Sequence, residues 1–446
     1  MARGGGRPGW YPCRMPISIA RLRVLRPLAI LALGAVQASM APFDPPSDSS
    51  SDSSSGSSSG SSPVLSPASS PVSPAIDVFV GGEGGYPVYR IPALTRLSTG
   101  ARSGRILAFA EGRNAYADNG RNDIVLRTSD DGGARWSAVR ALCDMPGRSL
   151  NNPCVVEVRT GAHAGRVLLM FQSYPEGCGE SCVTEGHDAK PDGAGGVKDT
   201  ICRTYLMHSD DAGETWSAAR DVTREVKRAT GATSVATGPG IGIQLAHGGH
   251  AGRIVMPFNE GPYDRWRVYA VYSDDGGDSW TIGDVAPNPP KGLANEVQMF
   301  ERSDGAVVLN ARQHQGSQRR TAAVSIDGGR TWSQLADVPE LPDPQCMAGV
   351  LALGGDLVVF TGCGSEKGRS HGTMWISRDG GRSWPERVLV EPGFFAYSVP
   401  VALDGGAVGV LYEADAYKRI VFRRVAVPAA ARPLAEGAAA PSTPVR

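Results

Sequence analysis

Arginine, glutamate, asparagine and tyrosine side chains interrupt apolar runs at matching places along this 446-residue chain. Arg90 opens one run, and Glu111 and Arg113 close the next. Asn152, Glu296, Arg312, Tyr397 and Glu413 stand at equivalent ends of later runs. Guanidinium groups are planar, always charged and able to pair bidentately with a carboxylate, so a converging set suits an anion. Carboxylates and a phenol beside them are groups of proton transfer and nucleophilic attack. A fold that was only structural needs no arginine at those places. Whether these groups meet depends on the elements that carry them.

Those elements repeat. An eight-residue box occurs at Ser129–Trp136 (SDDGGARW), Ser209–Trp216 (SDDAGETW), Ser273–Trp280 (SDDGGDSW), Ser325–Trp332 (SIDGGRTW) and Ser377–Trp384 (SRDGGRSW). A strand-forming run precedes each box. Asp-x-Gly supplies the positive φ and side-chain caps of a tight hairpin turn, so these Asp residues read as turn structure. No bidentate Glu stands at the spacing a calcium loop needs. A second hairpin, strand–Gly turn–apolar strand, occurs six times. The first copy runs from Tyr89–Leu94 to Ile106–Phe109, the third from Gly240–Leu245 to Ile254–Phe258, and the last from Tyr397–Val401 to Val408–Tyr412. Six hairpins, five of them followed by a box, make six four-stranded units. They predict an all-β fold, a six-bladed β-propeller of four-stranded antiparallel blades. Two packed β domains are the alternative. The sixth unit lacks a box and offers only Arg419–Val425 after Tyr412. Ile76–Val80 is available to complete it and so to close the ring. In a propeller, corresponding strand ends converge around the axis on one face, which gathers the residues named above.

Composition agrees. The chain has 57 Gly and 33 Pro, which argues against helix bundles and coiled coils. Lys plus Arg and Asp plus Glu both number 45, so there is no global basic footprint for nucleic acid. Arg14, Arg21, Arg23 and Arg26 precede the apolar run Leu28–Val36, and Ser39-Met40-Ala41 follows. This is the order of a secretory signal, expected at 1–41, with an uncleaved anchor as the alternative. A Ser/Pro-rich linker is expected at 42–75, the propeller at 76–430 and a loose tail at 431–446. The implied location is secreted, periplasmic or cell-surface, without stable membrane insertion. Seven cysteines remain beyond the signal: Cys143, Cys154, Cys178, Cys182, Cys202, Cys346 and Cys363. Cys178 and Cys182 share a Gly-rich insertion at 177–197, and either can pair with the other or with Cys202. Oligomeric state does not follow from the sequence.

The segments Tyr89-Arg90-Ile91-Pro92, Ala110-Glu111-Gly112-Arg113, Asn295-Glu296-Val297-Gln298, Asn310-Ala311-Arg312, Phe395-Ala396-Tyr397-Ser398 and Leu411-Tyr412-Glu413, with the five boxes, resemble the exo-α-sialidase (neuraminidase) family of bacterial, retaining type. The resemblance implies that Arg90, Arg312 and Arg369 hold the carboxylate of sialic acid. It implies Tyr397 as nucleophile, Glu296 as its base and Asp118 as acid/base, with Asp123 a competing candidate for the last role. Glu413 then orients Arg90, and Glu111, Arg113 and Asn152 meet ring substituents. Some members of the family carry Asp where this chain has Asn152. The first box has Arg135 where Thr or Ser is usual. No metal or organic cofactor is implied, and the expected partners are sialylated glycoconjugates. A non-catalytic sialic-acid-binding propeller and an Asp-box glycosidase acting on a neutral polysaccharide are the alternatives.

Overall fold

The computed structural model describes residues 10–11, 70–180 and 182–429. The expected signal and linker lie outside these residues, apart from Trp10–Tyr11 and residues 70–75, and the expected tail lies outside them entirely.

Four-stranded antiparallel meanders follow one another along the chain, each forming its own sheet. The first blade is Val88–Arg96, Ile106–Arg113, Asn122–Ser129 and Arg140–Cys143. The second is Arg148–Glu157, Val167–Pro175, Arg203–Ser209 and Ala219–Asp221. The third is built on Ile254–Glu260, Arg267–Ser273 and Thr281–Ile282. The fourth is Leu293–Glu301, Val307–Gln315, Arg319–Ser325 and Ala336–Pro342. The fifth is Gly349–Gly354, Leu357–Cys363, Ser370–Ser377 and Glu386–Phe394. The sixth is Ala396–Ala402, Ala407–Ala414 and Arg419–Ala426, and Ile76–Val80 pairs antiparallel with the last of these. The missing fourth strand thus comes from the other end of the domain. The result is a six-bladed β-propeller.

The second strands are buried along most of their length, and Ile106–Arg113 and Ile254–Glu260 along all of it. That is why they read as continuous apolar runs rather than as alternating ones. The core lies between neighbouring blades. One cluster joins Val156, Leu168 and Met170 of the second blade to Ile254, Met256 and Phe258 of the third. Another joins Val255 and Ala270 of the third to Val297 and Leu309 of the fourth.

The boxes lock this stacking. In the second box, Ser209 Oγ donates to Asp211 Oδ1 at 2.8 Å, and Asp211 Oδ1 also accepts the Thr215 amide at 2.8 Å. Trp216 Nε1 donates to the Gly213 carbonyl at 3.2 Å. The box aspartates are therefore occupied as turn caps. Arg135 fills the unusual place in the first box by donating Nε to Asp131 Oδ2 at 2.7 Å, where Thr331 uses its hydroxyl at 2.6 Å. The glycine at the fifth place of each box presses on a neighbouring blade. A Cβ on Gly133 meets Phe422 at 2.2 Å, one on Gly277 meets Leu168 at 2.5 Å, and one on Gly381 meets Phe300 at 2.7 Å. Glycine is needed there for close approach as well as for its positive φ.

One strand differs from expectation. The run Gly240–Leu245 does not form a single inner strand of the third blade. Val235–Thr237 and Ile243–Gln244 pair with Ile254–Glu260, while Gly240–Ile241 runs parallel to the second blade at Cys154 and Val155. Pro239 lacks an amide for the ladder, and Gly238 lies so close to the fourth blade that a Cβ meets the Val297 carbonyl at 1.8 Å.

Candidate active site

On one face the strand ends surround a cavity of about 690 Å³. Arg90, Arg113, Asp118, Asn152, Glu296, Arg312, Arg369 and Tyr397 line it. Eight of the ten residues singled out from the sequence thus share one wall, and Glu111 and Glu413 stand behind it.

The strands are bent where these groups project. Register shifts fall between Arg90 and Ala93, Asn151 and Cys154, Ala294 and Val297, and Ala396 and Ser398. A β-bulge at corresponding places of four blades turns side chains toward the axis. Ile91, Asn152 and Tyr397 there hold φ of 55°, 52° and 38°, uncommon for residues with a Cβ.

Tyr397 is buried, with 6% of its surface exposed. Its hydroxyl donates to Glu296 Oε1. Arg312 Nη1 donates to Glu296 Oε2 at 2.6 Å and to the Tyr397 oxygen at 3.3 Å. Burial, then the Glu296 charge, push the phenol well above its ordinary value. Burial acts to raise Glu296 as well, but Arg312, the Tyr397 hydrogen bond and Arg369 outweigh it, so Glu296 is held below the usual carboxylate range. The pair is therefore a neutral phenol beside an ionised carboxylate. The guanidinium carbons of Arg90 and Arg369 lie 5.4 Å and 5.2 Å from the centre of the Tyr397 ring. Positive charge surrounds the phenol and favours the oxygen as it gains negative charge.

Arg90 and Arg369 are held from behind. Arg90 Nε donates to Glu413 Oε1 at 2.6 Å, and the same oxygen accepts the Ile91 amide at 2.8 Å. Arg369 donates to the Tyr417 hydroxyl at 2.8 Å and to the Gln345 carbonyl at 2.9 Å. Arg312 Nε is buried without a partner. Glu111 is fully buried and does not reach the cavity. It pairs with Arg113 at 2.5 Å and accepts the Asn152 amide at 2.7 Å. It braces two wall residues where the sequence suggested contact with a ligand. Burial raises its pKa despite the Arg113 charge.

Asp118 lies on the loop after the first hairpin, with 84% of its side chain exposed. Its Oδ1 accepts from Arg113 Nη1 at 2.7 Å. Its carbonyl accepts from Asn122 Nδ2 at 3.1 Å and Asn151 Nδ2 at 3.2 Å. The backbone is anchored and the carboxylate faces the opening. Asp123 is elsewhere. It sits in the strand Asn122–Ser129, away from the cavity, and accepts the Tyr86 hydroxyl at 2.7 Å. Burial raises its pKa to about 6.

Other wall residues escaped the sequence reading. Tyr417 covers the Arg90 guanidinium at 4.2 Å from an irregular turn in which Asp415, Ala416 and Tyr417 all have positive φ. Gln172, Asn259 and Asn295 line the cavity and each keeps a buried oxygen without a partner. Gly179 and Glu180, from the insertion, also line it. Cys178 and Cys182 of that insertion are bonded to each other, and Cys202 is a free thiol. Among the described residues no cluster of three or more His, Cys, Asp or Glu is arranged to hold a metal ion.

Comparison with known proteins accords with this geometry. Residues 104–410 match the model of the BNR repeat-like domain. The chain is similar to the sialidase of Micromonospora viridifaciens, with 32% identity over 355 residues, 76% of this chain and 51% of that protein. It is similar to the sialidase of Bacteroides fragilis (strain YCH46), 28% identical over 75% of this chain and 61% of that protein. It thus spans between half and two thirds of the length of these relatives. The solved structure of the Hadza microbial sialidase Hz136 superposes with a TM-score of 0.69 at 25% identity, over 79% of this chain and 68% of that one. The chain belongs to the BNR repeat-like domain family, and its curated relatives there are sialidases.

Proposed function

We propose that this protein is a retaining exo-α-sialidase that hydrolyses terminal sialic acid from glycoproteins, glycolipids or oligosaccharides. The observation that carries the reading is the Tyr397–Glu296 hydrogen bond set among three arginines at one cavity. Arg90, Arg312 and Arg369 pair with the substrate carboxylate. That carboxylate sits on the anomeric carbon, where an anionic nucleophile meets repulsion, so a neutral phenol suits the attack. Tyr397 Oη bonds to the anomeric carbon as its proton passes to Glu296. Asp118 gives its proton to the glycosidic oxygen, and the leaving alcohol departs. Water then attacks the same carbon, Asp118 takes its proton, and Glu296 returns the first proton to the phenol oxygen. Two inversions give retention.

Three arginines around a neutral phenol also support a sialoside over a neutral polysaccharide, which has no carboxylate for them. Export through the N-terminal segment brings such an enzyme to sialylated glycoconjugates outside the cell. The reading is tested by proton NMR of 3′-sialyllactose with the enzyme. The α-anomer of free sialic acid should appear before the β-anomer. Release of the β-anomer first removes the retaining step, and cleavage of a neutral glucan with no sialic acid released removes the reading itself.

A further inference from the structure

The insertion between the second and third strands of the second blade enters the cavity as a braced wall. Cys178 and Cys182 clip it into a short loop. The Gly177 amide donates to the Asn119 carbonyl at 2.9 Å, and Asn119 Nδ2 returns a bond to the Gly177 carbonyl at 3.3 Å. The clipped loop is thus tied to the loop of Asp118, and it presents Gly179 and Glu180 to the cavity. On the second, third and fourth blades, Gln172 Oε1, Asn259 Oδ1 and Asn295 Oδ1 belong to the same cavity lining and are buried without donors. The cavity therefore combines guanidiniums suited to a carboxylate with buried acceptors that call for the hydroxyl and amide hydrogens of a ligand.

Glu180 is out of place there if it is charged. It faces Asp118 from the first blade's loop, Tyr174 and Cys202 from the second blade, and Glu296 and Arg312 from the fourth. A third carboxylate opposes the entry of an anionic sugar. Burial, then Glu296 and Asp118, push its pKa up to about 7 against the pull of Arg312. Below that pH the side chain is a neutral acid that both donates and accepts hydrogen bonds.

We propose that Glu180 is a specificity-determining residue that meets the bound sugar acid from the clipped loop and hydrogen-bonds its substituents as a neutral acid. The proposal rests on the sialidase reading. It makes affinity, rather than the chemical step, depend on the protonation of Glu180. As pH rises through about 7, Glu180 ionises and binding weakens.

The test measures KM and kcat for a fluorogenic sialoside between pH 6 and 8 with wild type, Glu180→Gln and Glu180→Ala, each checked for an unchanged melting temperature. Wild-type KM should rise about tenfold over that range, the ratio expected when one group in about ten stays protonated. Glu180→Gln should raise KM a few-fold at pH 6 and hold it flat to pH 8, because the amide cannot ionise. Glu180→Ala should raise KM about tenfold at pH 6. If Glu180→Gln follows the wild-type rise, or if Glu180→Ala keeps wild-type KM at pH 6, the proposal is overturned while the sialidase reading stands. If wild type releases no sialic acid at any pH, both fall together.

Discussion

A phenol is a poor nucleophile until its proton has somewhere to go and its oxygen has positive charge nearby. Tyr397 has both, in Glu296 and in the Arg90, Arg312 and Arg369 guanidiniums. Tyr397→Phe keeps the ring in its cationic cradle and removes only the oxygen. It should lower kcat on a fluorogenic sialoside by at least about a thousandfold, ~4 kcal/mol of barrier, with little change in melting temperature. Turnover within tenfold of wild type removes Tyr397 as nucleophile. Glu413 works one layer back. Fully buried, it fixes Arg90 and the Ile91 amide with one oxygen. Glu413→Gln leaves the Arg90 charge without its counter-charge, a change of about 3 kcal/mol in stability. It should also raise KM about ten- to a hundredfold through a less ordered Arg90, which steady-state kinetics and urea unfolding measure together. An unchanged KM would mean that Arg90 does not depend on this carboxylate for its orientation.

At the scale of elements, turns and bulges divide the labour. Boxes hold blades against one another, and bulges aim side chains at the axis. Asp275 illustrates the first role. It accepts the Ser273 hydroxyl at 2.7 Å and the Ser279 amide at 3.0 Å, far from the cavity lining. Asp275→Ala should therefore lower stability by about 1–2 kcal/mol and leave kcat/KM unaltered, as urea denaturation and sialoside kinetics on one preparation will show. A loss of activity at conditions where the variant is folded contradicts the assignment of the box to structure alone. Turn chemistry is local, since Ser, Asp and Gly at fixed offsets cap their own hairpin. That is why the boxes, the hairpins and the incomplete sixth unit were readable from residue order. The bulges are not local. Positive φ at Ile91, Asn152 and Tyr397 goes with amide bonds to neighbouring blades, and of these residue types only Asn favours it. For the same reason the Tyr417 cover on Arg90 and the entry of Glu180 had no signal in the chain, and the split third-blade strand had only Pro239. Each depends on a contact between segments remote in sequence. Glu111 shows the reverse case: its residue type marked it as functional, but depth in the wall decides whether it touches a ligand or supports the residues that do.

The molecule as a whole concentrates charge without carrying any. Acidic and basic residues balance at 45 each, and all but six of the basic ones are arginine. Many of those arginines are tied in surface pairs, such as Arg382 with Asp304 at 3.1 Å, while four line the cavity, Arg90, Arg113, Arg312 and Arg369. The site also lies across the seam where the ring closes. Arg90 belongs to the first blade, and Glu413 and Tyr397 belong to the sixth. The strand Ile76–Val80 joins the two, pairing Phe79 with Ile420 and Asp77 with Val421, while Arg419 bonds Asp77 at 2.6 Å. Phe79 is fully buried, its ring 5.2 Å from that of Tyr89, next to Arg90. Each blade buries its faces only on its neighbours, so an opened seam exposes two blades at once and removes the register between Arg90 and Tyr397. Phe79→Ala should cost about 3–5 kcal/mol. The loss should appear as one calorimetric transition at lower temperature, with sialidase activity and near-ultraviolet circular dichroism falling at the same midpoint. Two separated transitions, with activity surviving the first, would show that the seam can open without disturbing the site. A single one ties activity to closure of the ring, because Arg90 and Tyr397 are brought together only when the first blade meets the sixth.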